Sequence, residues 1–127
     1  MRFILPREEI IGSSREVQKV FKRGKKFAGN VVLFYYDIEN GNGELRAAFS
    51  VSRKIRLAVH RNRLKRLMRE AYRLRVRDLR EMIKQKKAVL RIVAVVAEPI
   101  NPFRTKLREV EKDFEVFFGK IKSELFS

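Results

Sequence analysis

The distribution of positive charge constrains this chain more than any other feature of its sequence. Residues 53–87 contain 15 Lys or Arg but only three acids, so they carry +12 of the total net charge of +16. Charged and apolar residues alternate there at helical spacing, which predicts an ordered cationic surface on an amphipathic helix. Such a surface is typical of nucleic-acid-binding proteins, with an anionic membrane as the second choice of partner.

Size and composition favour one folded domain over residues 1–127. The chain has 127 residues, 45% of them hydrophobic, including ten Phe, which is enough for a single core. It has no Cys, so disulfides, thiolate nucleophiles and cysteine zinc sites are excluded, as suits a reducing compartment such as the cytoplasm. The longest apolar runs, 31–36 and 92–97, are far shorter than the roughly 20 residues of a membrane span, and no signal-peptide stretch is visible.

The first half of the chain predicts one helix and two strands. Ser13 and Glu16 form a candidate capping box for a helix that ends at Gly24, and a basic turn follows. Residues 31–38 and 45–52 read as strands, and the Asn-Gly pairs at 40–43 predict a hairpin that makes them antiparallel neighbours. In the second strand the core-facing residues are Leu45, Ala47, Phe49 and Val51, and the opposite face carries Arg46, Ala48, Ser50 and Ser52.

From Asn62 the apolar residues recur with the period of an α-helix. Arg75 falls inside the apolar arc, so the helix is predicted to end or kink near Leu74 and to restart before Leu79. The apolar arc comprises Leu64, Leu67, Met68, Ala71, Tyr72, Leu74, Val76, Leu79 and Ile83. The opposite arc, called here the basic face, comprises Asn62, Lys65, Arg66, Arg69, Arg73, Arg77, Arg80 and Lys84.

Residues 88–97 are almost continuously apolar and predict an interior strand. After a Pro-containing break, apolar residues from Leu107 to Leu125 predict a last amphipathic helix. The order is then helix, strand, strand, helix, strand, helix, which indicates an α/β (α+β) fold with helices packed on a small mixed sheet. The basic helix should connect two parallel strands, 45–52 and 88–97.

The chain offers little for bond-breaking chemistry. Protein nucleases usually use a His pair or clustered carboxylates, whereas this chain has one His, His60, and three scattered Asp, at positions 37, 78 and 113. Backbone recognition and base stacking remain. The stacking candidates are Phe21, Phe27, Tyr35 and Tyr36, although aromatic residues in strands and amphipathic helices more often belong to the core.

Several motifs follow one another along the chain in a specific order. The most specific is Ser52-Arg53-Lys54 followed by Ala58-Val59-His60-Arg61-Asn62-Arg63-Leu64-Lys65-Arg66-Leu67-Met68-Arg69-Glu70. It is joined by Val20-Phe21-Lys22-x-Gly24-Lys25, Leu33-x-Tyr35 and the segment from Leu45-Arg46 to Val51-Ser52. Together, and in this order, these motifs resemble the bacterial ribonuclease P protein subunit.

That resemblance implies the family's two-layer α/β sandwich, with a left-handed crossover against the usual right-handed rule. It also implies an accessory subunit of an endoribonuclease that removes the 5′ leader of precursor tRNA, with catalysis and Mg²⁺ use assigned to the RNA subunit. The implied partners are that RNA and precursor tRNA; no cofactor, membrane or protein partner is expected.

Residue by residue, the resemblance assigns two sets of contacts. Those to the RNA subunit are Arg61, Asn62, Arg63, Lys65, Arg66, Arg69 and Arg73. Those lining a leader cleft are Phe21, Tyr35, Ser50, Ser52, Arg53 and Lys54. The chain departs from the family at Val17, where an aromatic is usual, and at Arg56-Leu57, where Gly-Asn is usual. The alternative function is a non-enzymatic RNA-binding protein of the ribosome or its assembly, and a DNA-binding module is weaker because no paired recognition-helix motif is visible.

Overall fold

A computed structural model describes residues 14–96 and 105–126, and they form three helices and four strands. In chain order these are α1 (Ser14–Arg23), β1 (Lys25–Ala28), β2 (Leu33–Asn40), β3 (Glu44–Val51), α2 (Ala58–Lys86), β4 (Ala88–Val96) and α3 (Leu107–Leu125). The predicted elements are all present. The prediction of a basic turn at Lys25 and Lys26 is wrong, because these residues begin strand β1, whose Phe27 packs against the core. Ser13, half of the predicted capping box, lies outside the described residues. Within the described ranges, no helix has the length and apolar character needed to cross a bilayer.

The four strands form one sheet in the order β1-β2-β4-β3. The predicted parallel pairing of β3 with β4 is confirmed, and so is the interior position of β4. The prediction that β2 and β3 are neighbours is wrong, because β4 lies between them and pairs antiparallel with β2. A strand that is apolar on both faces gains most from a central position, and this outweighs the local hairpin signal.

The short connection from β2 to β3 therefore reverses the chain across the start of β4. The Gly41 N–H donates a hydrogen bond to the Lys87 carbonyl at 2.8 Å, just before β4 begins. Gly43 has a φ of 84°, a left-handed conformation that glycine adopts without steric cost. The Asn-Gly signal thus marked a real reversal but could not identify which strand lies beside β2.

One face of the sheet forms the main core with α2 and α3. The predicted alternation in β3 is confirmed, since Leu45, Ala47 and Val51 are buried there and the Phe49 ring contacts the Tyr72 ring with centroids 5.4 Å apart. Aromatic packing dominates on the α3 side, where the rings of Phe34 and Phe117 stack at 4.1 Å. The basic helix is therefore held on the sheet by its apolar stripe.

The predicted kink in this helix is wrong, because α2 runs without interruption from Ala58 to Lys86. Arg75 faces α3 and forms ion pairs with Glu111 at 3.0 Å and Glu115 at 3.5 Å, so a charge is accommodated on the packed side. Leu74, predicted to be apolar-facing, is 50% exposed. The buried residues Leu64, Met68, Tyr72 and Val76 recur every four residues, so the stripe turns slowly around the helix and leaves Leu74 outside it.

The other face of the sheet carries α1, which contacts β2 and β4. Val20 of α1 and Val93 of β4 are fully buried, although neither belongs to the main core. The predicted α+β class is confirmed: a four-stranded mixed sheet has α2 and α3 on one face and α1 on the other. The left hand of the β3-α2-β4 crossover stays a prediction.

Candidate nucleic-acid interface

The basic face of α2 is a solvent-facing surface on a helix of 29 residues. Its members differ in exposure because the apolar stripe turns around the helix. Asn62, Arg66, Arg69, Arg77 and Lys84 are exposed, whereas Lys65, Arg73 and Arg80 are partly buried. A rigid row of exposed guanidinium groups can neutralise and orient several phosphates of one backbone at once.

Three Arg residues in the predicted RNA-binding set also hold the scaffold. Arg61 Nη1 donates to the carbonyl oxygens of Ile55 and Arg56, both at 2.7 Å, and so fixes the loop before α2. Arg63 Nη2 donates to the Thr105 carbonyl at 2.8 Å, tying α2 to the start of α3. Arg73 pairs with Glu70, one turn earlier. Loss of one of these side chains would therefore alter the fold locally as well as the surface charge.

The amino end of α2 adds to the positive field. Leu57 occupies the N-cap without a side-chain hydrogen bond to the helix, and the first turn contains no acid. The partial positive charge of the helix end is therefore not offset by a carboxylate and lies among the cations of this region.

The outer face of the sheet, on the α1 side, forms a second surface. Strand register places Tyr35 beside Lys26 of β1 and beside Val93 of β4, and Ala48 continues this row on β3. The adjacent row consists of Ala28, Leu33, Val95 and Ser50. On this face Ala48 and Ser50 have small side chains, and Tyr35 has an aromatic side chain.

Phe21 and Tyr35, both predicted cleft residues, are in contact. Their rings meet edge to face with centroids 4.7 Å apart, and Phe21 remains 38% exposed. The Lys26 ammonium lies 5.8 Å from the centroid of the Tyr35 ring. The other two stacking candidates belong to the core side, since Phe27 packs on Phe117 and Tyr36 is buried. Partly exposed aromatic rings beside a cation are suited to stacking with an unpaired base while the cation pairs with its phosphate.

The segment after β3 joins the two surfaces. The Ser52 N–H donates to the Val96 carbonyl at 2.9 Å, and its hydroxyl accepts a hydrogen bond from the Lys54 N–H at 3.2 Å. Arg53 and Lys54 are exposed on the resulting turn. Along the chain these two residues therefore connect the Ser50 end of the outer sheet face to the start of the basic helix.

A cluster of ion pairs lies at the end of the outer face that is farthest from Ser50, and sequence patterns did not predict it. Glu16 Oε1 of α1 lies 3.1 Å from Arg46 Nε and 3.3 Å from Arg91 Nε. Arg91 also lies 3.5 Å from Asp37 and 3.4 Å from Glu39. Burial alone would lower the pKa of Arg91, but the nearby carboxylates of Asp37 and Glu39 raise it above its ordinary value. The available signal was one Arg inside an apolar strand, since such a charge needs a partner.

The family model for ribonuclease P matches residues 5–122 of this chain. The chain belongs to the ribonuclease P protein family. The proposed resemblance is thereby confirmed over nearly the whole sequence.

Relatives with the name ribonuclease P protein component support this membership. The protein from Syntrophomonas wolfei is 34% identical over 117 residues, which cover 92% of this chain and 90% of the relative. The protein from Pelotomaculum thermopropionicum is 42% identical over 66 residues, and there the alignment spans 52% of this chain and 58% of the relative. The Staphylococcus aureus RNase P protein structure superposes with a TM-score of 0.64 at 22% identity, covering 94% of this chain and 98% of that one, so it shows the shared fold.

Within the described residues of this ribonuclease P family member, His, Asp and Glu form no group of three that could hold a metal ion. His60 is partly buried at the start of α2, and Asp37, Asp78 and Asp113 lie on three different elements. The side chains that do converge are cations, small residues and two aromatic rings. These side chains are suited to binding polynucleotides.

Proposed function

We propose that this chain is the protein subunit of ribonuclease P and supports removal of the 5′ leader from precursor tRNA. In this proposal the basic face of α2 and the loop before it bind the RNA subunit, and the outer sheet face binds the leader. The RNA subunit breaks the phosphodiester bond with the Mg²⁺ ions it holds. Membership in the family supports the assignment of the complex, and the two surfaces support the division of labour.

The observation that carries the proposal is the junction at residues 52–57. Two surfaces of different character meet there: a row of exposed Arg on a rigid helix, and a sheet face with two aromatic rings and small side chains. A folded RNA offers a regular phosphate backbone, which suits the first surface. A single-stranded leader offers unstacked bases, which suit the second. In the assembled complex the RNA subunit would occupy the first surface while the leader of a bound precursor tRNA occupies the second.

The residue assignments follow from this division. On the helix, Asn62, Arg66 and Arg69 are proposed to contact the RNA subunit directly. Arg61, Arg63 and Arg73 are proposed to act partly by holding the loop and the helix in place, because their guanidinium groups already have protein partners. Lys65 completes the RNA-facing set. The proposed leader contacts are Phe21, Tyr35, Ser50, Ser52, Arg53 and Lys54.

Reconstitution at low Mg²⁺ tests the proposal. The chain is combined with the ribonuclease P RNA encoded by the same genome and with a precursor tRNA that carries a leader. Addition of protein should restore cleavage at the mature 5′ end and should raise affinity for precursor tRNA above that for mature tRNA. The Arg66→Ala, Arg69→Ala double variant should lose RNA-subunit affinity, whereas Lys112→Ala, which removes an exposed cation on α3, should not.

Two results would contradict the proposal. One is cleavage by the protein after complete digestion of all RNA. The other is equal affinity for leader-bearing tRNA, mature tRNA and duplex DNA at one salt concentration, since contacts to phosphate alone do not discriminate among them. Co-purification with ribosomal particles in place of the processing complex would favour the ribosomal alternative.

A further inference from the structure

The amino end of α2 exposes two large apolar side chains. Val59 is 66% exposed and Leu57 is 56% exposed, more than any other large hydrophobic residue in the described part of the chain. They are two residues apart, one at the N-cap and one in the first turn. Together they form what we call the apolar tip of α2.

Local structure alone gives no reason for these two residue types. An N-cap favours Ser, Thr, Asp or Asn, yet Leu57 makes no capping hydrogen bond. A β-branched residue such as Val59 is a poor choice for a solvated helical turn compared with Ala, Glu or Lys. Neither side chain belongs to the hydrophobic core or packs against it as a partly buried residue. Their exposure is therefore unfavourable in water and is relieved only when something covers them.

The charge around the tip identifies the kind of partner. Residues 53–69 contain eight Lys or Arg and no Asp or Glu, so a polyanion is attracted and a second copy of this +16 chain is repelled. Structured RNA also offers apolar surface, because loops and bulges expose the faces of nucleobases and riboses. An apolar tip inside a cationic surface therefore matches a splayed nucleotide whose phosphates the surrounding cations hold.

The tip is aligned with the basic face and is held in place. Val59 lies one turn before Asn62, and Asn62 lies one turn before Arg66, so the three form one continuous exposed row. Arg61 bonds to the carbonyls of Ile55 and Arg56 and thereby fixes the loop that presents Leu57. A preformed contact loses little conformational entropy on binding.

From these observations we infer that Leu57 and Val59 pack against an unstacked nucleotide of the RNA subunit and supply a salt-independent part of its binding. The inference rests on the proposed function, because it needs an RNA partner at α2. It adds a contact of a different physical kind from the phosphate contacts of Arg66 and Arg69.

Salt dependence separates the two kinds of contact. In the variant Leu57→Thr, Val59→Thr, the N-cap gains a capping hydroxyl and position 59 stays β-branched, so the fold should be retained. Its affinity for the ribonuclease P RNA should fall about tenfold, which corresponds to about 1.4 kcal/mol. The slope of log affinity against log salt should stay unchanged. Arg66→Ala should lower the magnitude of that slope by about one unit.

A matched control is available on α3. Val116 is 53% exposed, so Val116→Thr makes the same chemical change away from the basic face and should leave RNA affinity unaltered. The double variant should also bind with a less negative heat-capacity change, because less apolar surface is buried.

The outcomes distinguish failure of the inference from failure of the proposed function. If wild-type protein binds the RNA and Arg66→Ala shows the reduced slope, but the thermally stable double variant binds as tightly as wild type, the inference is overturned. A tip that instead docks an acidic protein would give this same result. If wild-type protein itself does not bind the RNA, the proposed function fails as well.

Discussion

Asp113 shows how a single buried side chain can fix the edge of the sheet. It lies on α3 and is only 3% exposed. Its Oδ1 accepts a hydrogen bond from the Asn30 N–H at 2.9 Å, and its Oδ2 accepts from the N–H groups of Val31 and Val32 at 2.7 and 2.9 Å. These bonds satisfy three backbone donors in the loop between β1 and β2. The loop thereby holds Tyr35's strand in register with β1.

Asp113→Asn should lower the free energy of unfolding by about 2 to 4 kcal/mol. The amide replaces one acceptor oxygen with an NH₂ group, so donors would face donors in a buried site. Urea denaturation measures the change. Asp78→Asn removes an exposed carboxylate from α2 and should change stability by no more than about 0.5 kcal/mol. Equal effects of the two substitutions would show that the hydrogen bonds of Asp113 add no more to the free energy of unfolding than an exposed carboxylate does.

Tyr35→Ala should selectively weaken binding of precursor tRNA to the reconstituted complex. If the ring stacks on a leader base, the loss is about 1 to 3 kcal/mol, and mature tRNA is unaffected. Tyr35→Phe retains the ring and should bind the leader nearly normally. Equilibrium binding of both RNAs to the three proteins provides the measurement. Equal losses for precursor and mature tRNA would argue against a leader contact.

For single residues, sequence patterns predicted whether a side chain faces solvent, but they did not predict its hydrogen-bond partners. The prediction that Ser50 faces outward followed directly from strand alternation. The bonds of Arg61 to loop carbonyls and of Arg63 to Thr105 depend on where distant segments meet, and no local period encodes that. The assigned roles of these residues stay predictions.

Two glycine positions, Gly119 and Gly24, differ in whether the fold has room for an added side chain. Gly119, inside α3, would place an added Cβ in open space, so Gly119→Ala should raise the free energy of unfolding by about 0.5 to 1 kcal/mol. Gly24, at the end of α1, would place a Cβ only 2.4 Å from the Val20 carbonyl oxygen and 2.7 Å from that of Tyr36. Gly24→Ala should therefore be destabilising. Thermal melts of both variants test the pair, and a destabilised Gly119→Ala would reveal a contact that the helix geometry does not provide.

Tyr36 links β2 to the end of α3. Its hydroxyl donates to Glu124 Oε1 at 2.9 Å, and burial together with this carboxylate raises the pKa of Tyr36 to about 12. The neutral phenol is favoured in the folded state, because the pKa of Tyr36 is about 12 there and 10.0 in the unfolded chain. The contribution of Tyr36 to the free energy of unfolding is therefore complete below pH 10 and is lost as pH rises through about 12. Stability should fall between these pH values, and Tyr36→Phe should reduce that fall. Urea midpoints of both proteins across this range measure it; identical pH profiles would contradict the prediction.

For elements, the sequence predicted type well and neighbours poorly. Helical and strand periods located α2, α3, β3 and β4. The apparent kink at Arg75 arose because the sequence does not display Glu111 and Glu115 on the facing helix. The apparent hairpin arose because a turn signal specifies chain reversal only. Partners that are remote in sequence decided both outcomes.

For the whole molecule, the net charge of +16 opposes compaction, because half of it lies on one helix, where 11 Lys or Arg stand against three acids. Added salt should therefore stabilise the free protein. In urea denaturation, raising NaCl to about 1 M, where the Debye length is about 3 Å, should increase the free energy of unfolding by on the order of 1 kcal/mol. A steady decrease with salt would mean that ion pairs such as Glu16–Arg46 outweigh the general repulsion.

The position of β4 has a consequence for synthesis on the ribosome. Strands β2 and β3 leave the exit tunnel early, but the strand that joins them follows only after the 29 residues of α2. Until then each has an unpaired edge, and the apolar side of α2 has no sheet to rest on. In a nascent chain the proposed RNA-binding face of α2 is therefore supported by a complete sheet only after β4 has been synthesised.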